Sequence, residues 1–281
     1  MNATGTASAA QRPVGPARRP AFQHLLLAEW TKIRSVRSTI WTLILFVIIT
    51  IGLTALFSWL TESNWTTGAR AADRDARILT DPVGFIFGAG IGLGQLTICV
   101  LGVLLISTEY STGVIRASLL AVPKRFPMLA AKIVVFGVLM LVLSEIVVFC
   151  SFFVGSELLH PRVYVSLREA GVLRATIGTG LYLTVLGVFA LAIGALIRHT
   201  AGAISTVIGV ILVLPILAGL LPSNWGAHIN AYLPEQAGSL ISHAHQTACD
   251  LLSPWQGFGV FSIWTALLLA AAAYLLDRRD A

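Results

Sequence analysis

Residues 133–155 read IVVFGVLMLVLSEIVVFCSFFVG and contain one charged residue, Glu145. About 20 apolar residues form a helix of roughly 30 Å, which is the thickness of the hydrocarbon core of a bilayer. Inside a bilayer the backbone amides need partners within the segment, and a helix provides them. This stretch therefore predicts a transmembrane α-helix.

Five further stretches have the same character, so that the predicted spans are residues 39–60, 84–107, 133–155, 176–197, 201–221 and 257–276. With 56% hydrophobic and 11% charged residues in 281, the chain has too little polar surface for a soluble globule. We expect an all-α integral membrane protein with six transmembrane helices in one domain, residues 21–281. Residues 1–20 lack an apolar stretch and predict a disordered cytoplasmic tail rather than a signal peptide.

Lys and Arg are unequally divided between the two sides of the predicted bundle. The side with both termini carries 13 of them, and the other side carries six. Because basic residues are retained in the cytoplasm during insertion, both termini are predicted to be cytoplasmic. The net charge of +6 is explained by this asymmetry, so we expect the lipid bilayer and not nucleic acid as the partner of these residues.

A short segment before the first span, residues 22–37, predicts an N-terminal interfacial helix. Its apolar residues recur at helical spacing, at Phe22, Leu26, Trp30 and Ile33. Glu29 and Lys32 fall elsewhere on the helix, as expected for a segment lying on a membrane surface. The alternative is an extended start to the first span.

Small and polar residues inside the spans mark a candidate translocation path or helix contact. The second span has glycines four residues apart at Gly84, Gly88 and Gly92, and a second track at Gly90 and Gly94. Such tracks let helix backbones approach closely, either within the bundle or at a subunit contact. Gln95 on the same span and Glu145 in the third span add hydrogen-bonding groups at membrane depth. A carboxylate in a bilayer must be protonated, paired or in contact with a wet cavity. Glu145 could therefore belong to the substrate path or to a helix contact, or it could be purely structural.

The region around the fifth span has two irregular features. Pro215 lies inside the span and predicts a kink or break. Residues 222–256 stay fairly apolar and include Trp225 and Tyr232. They predict short helices that dip into the outer leaflet, with a plain external loop as the alternative, although about 35 residues is long for a structureless loop.

Motifs of enzymes are missing. No lysine follows a glycine, so there is no phosphate-binding loop, and neither a zinc-protease motif nor a Gly-x-Ser-x-Gly elbow occurs. We expect no catalytic residue and no cofactor in this chain. His243 and His245 near Cys249 and Asp250 suggest a metal site only weakly, because their spacing fits no closed site, and we expect no bound metal.

The connection between the second and third spans, residues 108–125, reads TEYSTGVIRASLLAVPKR. It resembles the signature of ABC-2-type permeases, the membrane subunits of bacterial ABC exporters. The matching residues are Glu109, Gly113, Leu119, Leu120, Pro123 and Arg125. Val114 and Arg116 depart from the common pattern. Residues 28–37, AEWTKIRSVR, also resemble the start of many bacterial members.

The resemblance implies a permease of the bacterial cell membrane that works with a second copy or a related permease. A separate ABC ATPase subunit would hold ATP and Mg, and the connection would form a coupling helix that docks on it. The implied coupling residues are Glu109, Gly113, Val114, Ile115, Leu119, Leu120, Pro123 and Arg125. An amphipathic connector lying on lipid is the alternative interpretation of this segment.

The function expected from this resemblance is ATP-driven outward movement of an amphipathic or lipid-like solute. Two other classes of function fit the same composition. One is a membrane anchor or immunity subunit that binds a partner without transport. The other is a membrane-embedded enzyme, in which Glu145 or the pair His243 and His245 would act as chemical groups. The identity of the solute is not encoded in the apolar spans.

Overall fold

The structure of the protein, a computed structural model, describes residues 22–63, 78–79, 81–111, 125–160, 163–221, 224–246 and 250–279. Within these ranges the regular structure is helical. The main helices are α1 (Phe22–Ser35), α2 (Arg37–Ser63), α3 (Pro82–Ser111), α4 (Arg125–Leu159) and α5 (Val172–Ile197). They are followed by α6 (Thr200–Ile208), α7 (Leu214–Gly219), α8 (Asn224–Ala231), α9 (Pro234–Ser239) and α10 (Pro254–Arg279).

The expected fold class is confirmed, since six helical segments are long and apolar enough to cross a membrane. They are α2, α3, α4, α5, the α6–α7 segment and α10, which correspond to the six predicted spans. The predicted coupling helix would fall in residues 112–124, outside the described residues. We call the end of the bundle that carries α1 the basic end, because Lys32, Arg34, Arg37 and Lys132 lie there.

Helices α3 and α5 form the centre of the bundle. Both bury most of their apolar residues, whereas the other four spans bury a minority. The two helices cross closely where Gly102 of α3 meets the carbonyl of Gly187 of α5. A side chain at Gly102 would separate the backbones, so the crossing requires glycine there. The exposed apolar faces of the outer helices suit contact with lipid.

The two glycine tracks of α3 have different surroundings. Gly90 and Gly94 lie against Thr54 and Thr50 of α2, and a side chain at either glycine would collide with these threonines. Gly88, by contrast, has open space around the position of a side chain, and so has Gly92. Gly90 and Gly94 therefore form a contact inside the bundle, whereas Gly88 and Gly92 face outward.

Helix α1 buries a charged residue against the bundle. Glu29 and Ile33 are its buried residues, while Phe22 and Trp30 are exposed. The prediction that Glu29 lies on the polar face was wrong, because the lysine of another helix compensates its charge inside the protein. Periodicity of apolar residues does not reveal such a partner.

The fifth span is irregular ahead of its proline, as expected. A π-helical turn, Gly209–Val213, separates α6 from α7, and Pro215 lies in the first turn of α7. Proline lacks the N–H that would continue the regular hydrogen bonding, and the wider turn accommodates this loss.

The segment after the fifth span enters the bundle at the end opposite α1. The backbone of Gly238 in α9 lies against the rings of Phe261 and Tyr182. Phe261 is seven residues inside α10 and Tyr182 is ten residues inside α5, which corresponds to depths of about 10 and 15 Å from the helix ends. The part of the segment that contains α9 is therefore not a plain external loop.

Candidate functional site

Four charged side chains meet at the basic end of the bundle, and we call them the ionic cluster: Glu29, Lys32, Glu109 and Lys132. The ammonium group of Lys132 lies 2.6 Å from Oε2 of Glu29 and 2.9 Å from Oε1 of Glu109. The ammonium group of Lys32 lies 2.7 Å from Oε1 of Glu29 and 3.2 Å from Oε1 of Glu109. Each lysine thus bridges both carboxylates.

The cluster is neutral in sum and largely withdrawn from solvent. The side chain of Lys132 is 2% exposed, that of Glu29 is 5% and that of Glu109 is 11%, whereas that of Lys32 is 35% exposed. A buried ion pair gains little net stability over apolar packing, but losing one partner leaves a costly buried charge. The arrangement therefore holds the helices in one relative position more than it adds to stability.

Electrostatics keep the members on α1 charged. Burial alone would raise the pKa of Glu29, but the ammonium of Lys132 and then that of Lys32 outweigh it and lower the pKa. Burial would lower the pKa of Lys32, yet its hydrogen bond to Glu29 and the charge of Glu109 raise it overall. Both groups are ionised at neutral pH.

The positions of the four residues explain what the cluster joins. Glu29 and Lys32 are three residues apart and share one face of α1. Glu109 lies two residues before the end of α3, and Lys132 lies in the second turn of α4. Because residues 112–124 connect α3 to α4, the cluster ties α1 to both helices that flank this connection.

One atom of the cluster is incompletely paired. Oε2 of Glu109 is buried and has no hydrogen-bond partner among the described residues. An unpaired buried carboxylate oxygen costs free energy. Glu109 is also the one predicted coupling residue whose side chain the structure describes.

The other predicted coupling residues are not described at the level of side chains. Arg125 is the first residue of α4, and only its backbone is described. The remainder lie outside the described residues: Gly113, Val114, Ile115, Leu119, Leu120 and Pro123.

The candidate residues at membrane depth are not brought together into one site. Oε1 of Gln95 accepts a hydrogen bond of 2.8 Å from the hydroxyl of Tyr182, and both side chains are buried between α3 and α5. Glu145 of α4 lies on another side of α5, with its carboxylate against Gly180. Gln95 and Glu145 thus make helix contacts, while Gly88 and Gly92 face outward.

At the end opposite α1, charged groups fasten the segment that enters the bundle. Nδ1 of His243 lies 3.1 Å from Oδ2 of Asp81, the residue before α3. The guanidinium of Arg174 donates to the carbonyls of His243 and Ala244 at 2.8 and 2.9 Å. Gly171, with a φ of 86°, lets its backbone approach Ala244. Among the described residues no group of three metal-ligating side chains occurs, and His243 has a carboxylate partner instead.

Comparison with known proteins leaves the family open. No protein-family model matches the sequence, and no curated protein matches it significantly. The resemblance to ABC-2-type permeases therefore has residues 108–125, residues 28–37 and the six-span layout as its basis.

Sequence reasoning selected Glu109 but did not select its three partners. The two lysines lie close to apolar spans, where positive charges are usually explained by membrane topology, and Glu29 was assigned to the polar face of α1. The available signal was a Glu three residues before a Lys on α1, together with a lysine inside the long helix α4. Pairing them required the tertiary arrangement.

Proposed function

We propose that this protein is the membrane-spanning permease subunit of an ATP-driven ABC exporter. In this proposal a separate ATPase subunit binds ATP and Mg, and the permease moves an amphipathic or lipid-like solute outward across the bacterial cell membrane. Both termini lie in the cytoplasm. The observation that carries the proposal is the ionic cluster, which joins α1 to the two helices flanking residues 112–124.

The cluster supplies a physical route for coupling. When the ATPase displaces the connection, α3 and α4 move with it, because the connection begins and ends on them. Lys132 of α4 holds Glu109 of α3 and Glu29 of α1, so the three helices move as one body. Such a rigid unit transmits a movement instead of absorbing it.

The layout of the spans supports a moving unit of this kind. Helix α2 packs on α3 and α4, and α5 packs on both as well. A displacement of α3 and α4 is therefore passed to the centre of the bundle. The outward-facing glycines of α3 and the second permease copy would complete the path in the assembled exporter.

The first test is co-purification with a candidate ATPase. Gly113→Trp and Leu119→Glu should weaken the complex in detergent, because they alter the proposed docking segment. Lys132→Met should leave the complex intact but reduce ATP-dependent transport in proteoliposomes, because it loosens the transmission from α3 and α4 to α1. Arg34→Met, an exposed cation on α1, is the matched control and should retain transport.

The outcomes separate the three classes of function. Association that depends on Gly113 and Leu119, together with ATP-dependent flux, supports the exporter. Association without flux identifies an anchor or immunity subunit. Absence of association overturns the proposal and favours both the embedded enzyme and the anchor or immunity subunit. Chemical turnover by this chain alone also overturns it and favours the enzyme.

A further inference from the structure

A cavity of about 380 Å³ opens between α1, α2 and α3 at the basic end, and we call it the wedge. Its polar end is the ionic cluster. Its apolar end is formed by Leu101, Leu104 and Leu105 of α3. Leu101 lies eight residues from Glu109 along α3, so the wedge extends about 12 Å from the charged end toward the membrane interior.

The shape of the wedge follows from the joint between α1 and α2. Only Val36 separates the two helices, and α1 leaves the bundle axis to pack on α4. The angle between them is lined on the α2 side by Thr39 and Thr42. The wedge thus has a charged mouth and an apolar inner end, which suits an amphipathic molecule with a charged group and an apolar chain.

The ionic cluster is neutral in sum, but its four side chains are unequally exposed at the mouth of the wedge. Both carboxylates are nearly covered, at 5% and 11% exposure, and Lys132 is covered as well. The side chain of Lys32 is 35% exposed, so it is the member of the cluster that meets a ligand.

The geometry points to a binding site for one anionic phospholipid of the adjacent leaflet. Its phosphate contacts the ammonium of Lys32, and an acyl chain lies along Leu101, Leu104 and Leu105. Basic pockets between transmembrane helices bind anionic headgroups in this manner. A volume of 300 to 1,000 Å³ is the usual range for a small-ligand site, and the wedge falls within it.

Such a lipid would brace α1 against α3 beside the ionic cluster. The inference stands whether or not the protein is an exporter. The wedge requires a ligand with both a negatively charged headgroup and an acyl chain, because each half of the wedge contacts only one of these two parts.

The test measures lipid retained by the full-length protein after purification in detergent. The protein is incubated with equal amounts of phosphatidylglycerol and phosphatidylcholine, and bound lipid is counted by native mass spectrometry. The wild type should retain one phosphatidylglycerol in preference to phosphatidylcholine. Lys32→Gln should reduce that preference about fivefold, because a basic residue near a lipid headgroup contributes about 1 kcal/mol.

Two further variants test the apolar half. Leu105→Trp fills the wedge, and Thr42→Leu narrows it with a smaller change; both should lower retention of phosphatidylglycerol. Leu45→Trp places the same bulk on the exposed face of α2 and should have no effect. Elution volume in size-exclusion chromatography and helicity identify any variant that fails to fold. If Leu105→Trp fails to fold, lipid retention by Thr42→Leu tests the apolar half of the wedge.

Three results would overturn the inference. One is equal retention of both phospholipids by the wild type. Another is equal loss of lipid in Leu45→Trp and in the wedge variants. The third is displacement of the lipid by glycerol phosphate at the same concentration, which would indicate an anion site that does not need a chain. Preference for phosphatidylglycerol that is lost in Lys32→Gln and in Thr42→Leu would support it.

Discussion

Replacing Lys132 by methionine is the sharpest probe of the ionic cluster. Methionine keeps an unbranched, apolar stem of similar length but removes the charge that lies 2.6 Å from Glu29 and 2.9 Å from Glu109. Breaking a buried ion pair by removing one partner costs about 3 to 5 kcal/mol. Lys32 still contacts both carboxylates, so we expect the lower end of that range, about 3 kcal/mol.

The free energy of unfolding is measurable by titration with sodium dodecyl sulfate in mixed micelles, followed by circular dichroism. Arg34→Met is the matched control, because Arg34 is exposed at the same end, and its effect should stay within about 0.5 kcal/mol. Adding Glu29→Gln to Lys132→Met removes one of the carboxylates left unbalanced. The double variant should therefore recover part of the lost stability, since the two residues are in direct contact.

A loss below about 1 kcal/mol in Lys132→Met would contradict this reasoning, since that value is typical of exposed ion pairs. A double variant whose loss equals the sum of the two single losses would also contradict it. Either result would mean that the four charges do not act as a buried unit.

Three further predictions concern other parts of the bundle. Gly90→Ala should destabilise the protein by about 1 to 3 kcal/mol in the same titration, because the added methyl group meets α2, while Gly88→Ala should be neutral. Tyr182→Phe should cost about 1 to 3 kcal/mol, because it leaves a buried amide oxygen unpaired, and equal stability to the wild type would exclude that role. The contact between Asp81 and His243 should depend on pH: burial alone would raise the pKa of Asp81, but the hydrogen bond from His243 outweighs it and lowers the pKa, and the hydrogen bond to Asp81 raises the pKa of His243. The stabilisation from this contact is therefore complete just below about pH 6.5, where His243 is protonated and Asp81 is ionised. It fades as pH rises through the raised pKa of His243, and it fades at low pH as Asp81 gains a proton. The melting temperatures of His243→Gln and the wild type should differ by more at pH 6 than at pH 9.

Part of the candidate site was accessible from the sequence, and part was not. Glu109 was selected because it matches a motif at the end of a span. Glu29 was assigned to the polar face of α1 because an isolated amphipathic helix exposes its charges. Its burial depends on Lys132, which is 103 residues away along the chain. Periodicity records the average environment of a helix face, and it contains no information on a compensating charge from another helix.

The glycines of α3 illustrate the same division. Their spacing predicted close approach of another helix, and two tracks were visible. The structure alone shows that Gly90 and Gly94 meet α2, whereas Gly88 and Gly92 face outward. Both tracks offer the same small surface, so the choice between them depends on how the neighbouring helices pack.

The sequence by itself determined that the protein is helical and has six segments able to span a membrane, because long uncharged stretches must satisfy their backbone hydrogen bonds internally. It also determined that the fifth span is interrupted near Pro215. Only the tertiary structure decided that α3 and α5 form the centre, that residues 234–242 pack between α5 and α10, and that four charges from three helices meet at the basic end. Local sequence fixes where a helix forms, whereas pairing between helices depends on shape and charge contributed by residues far apart in the chain.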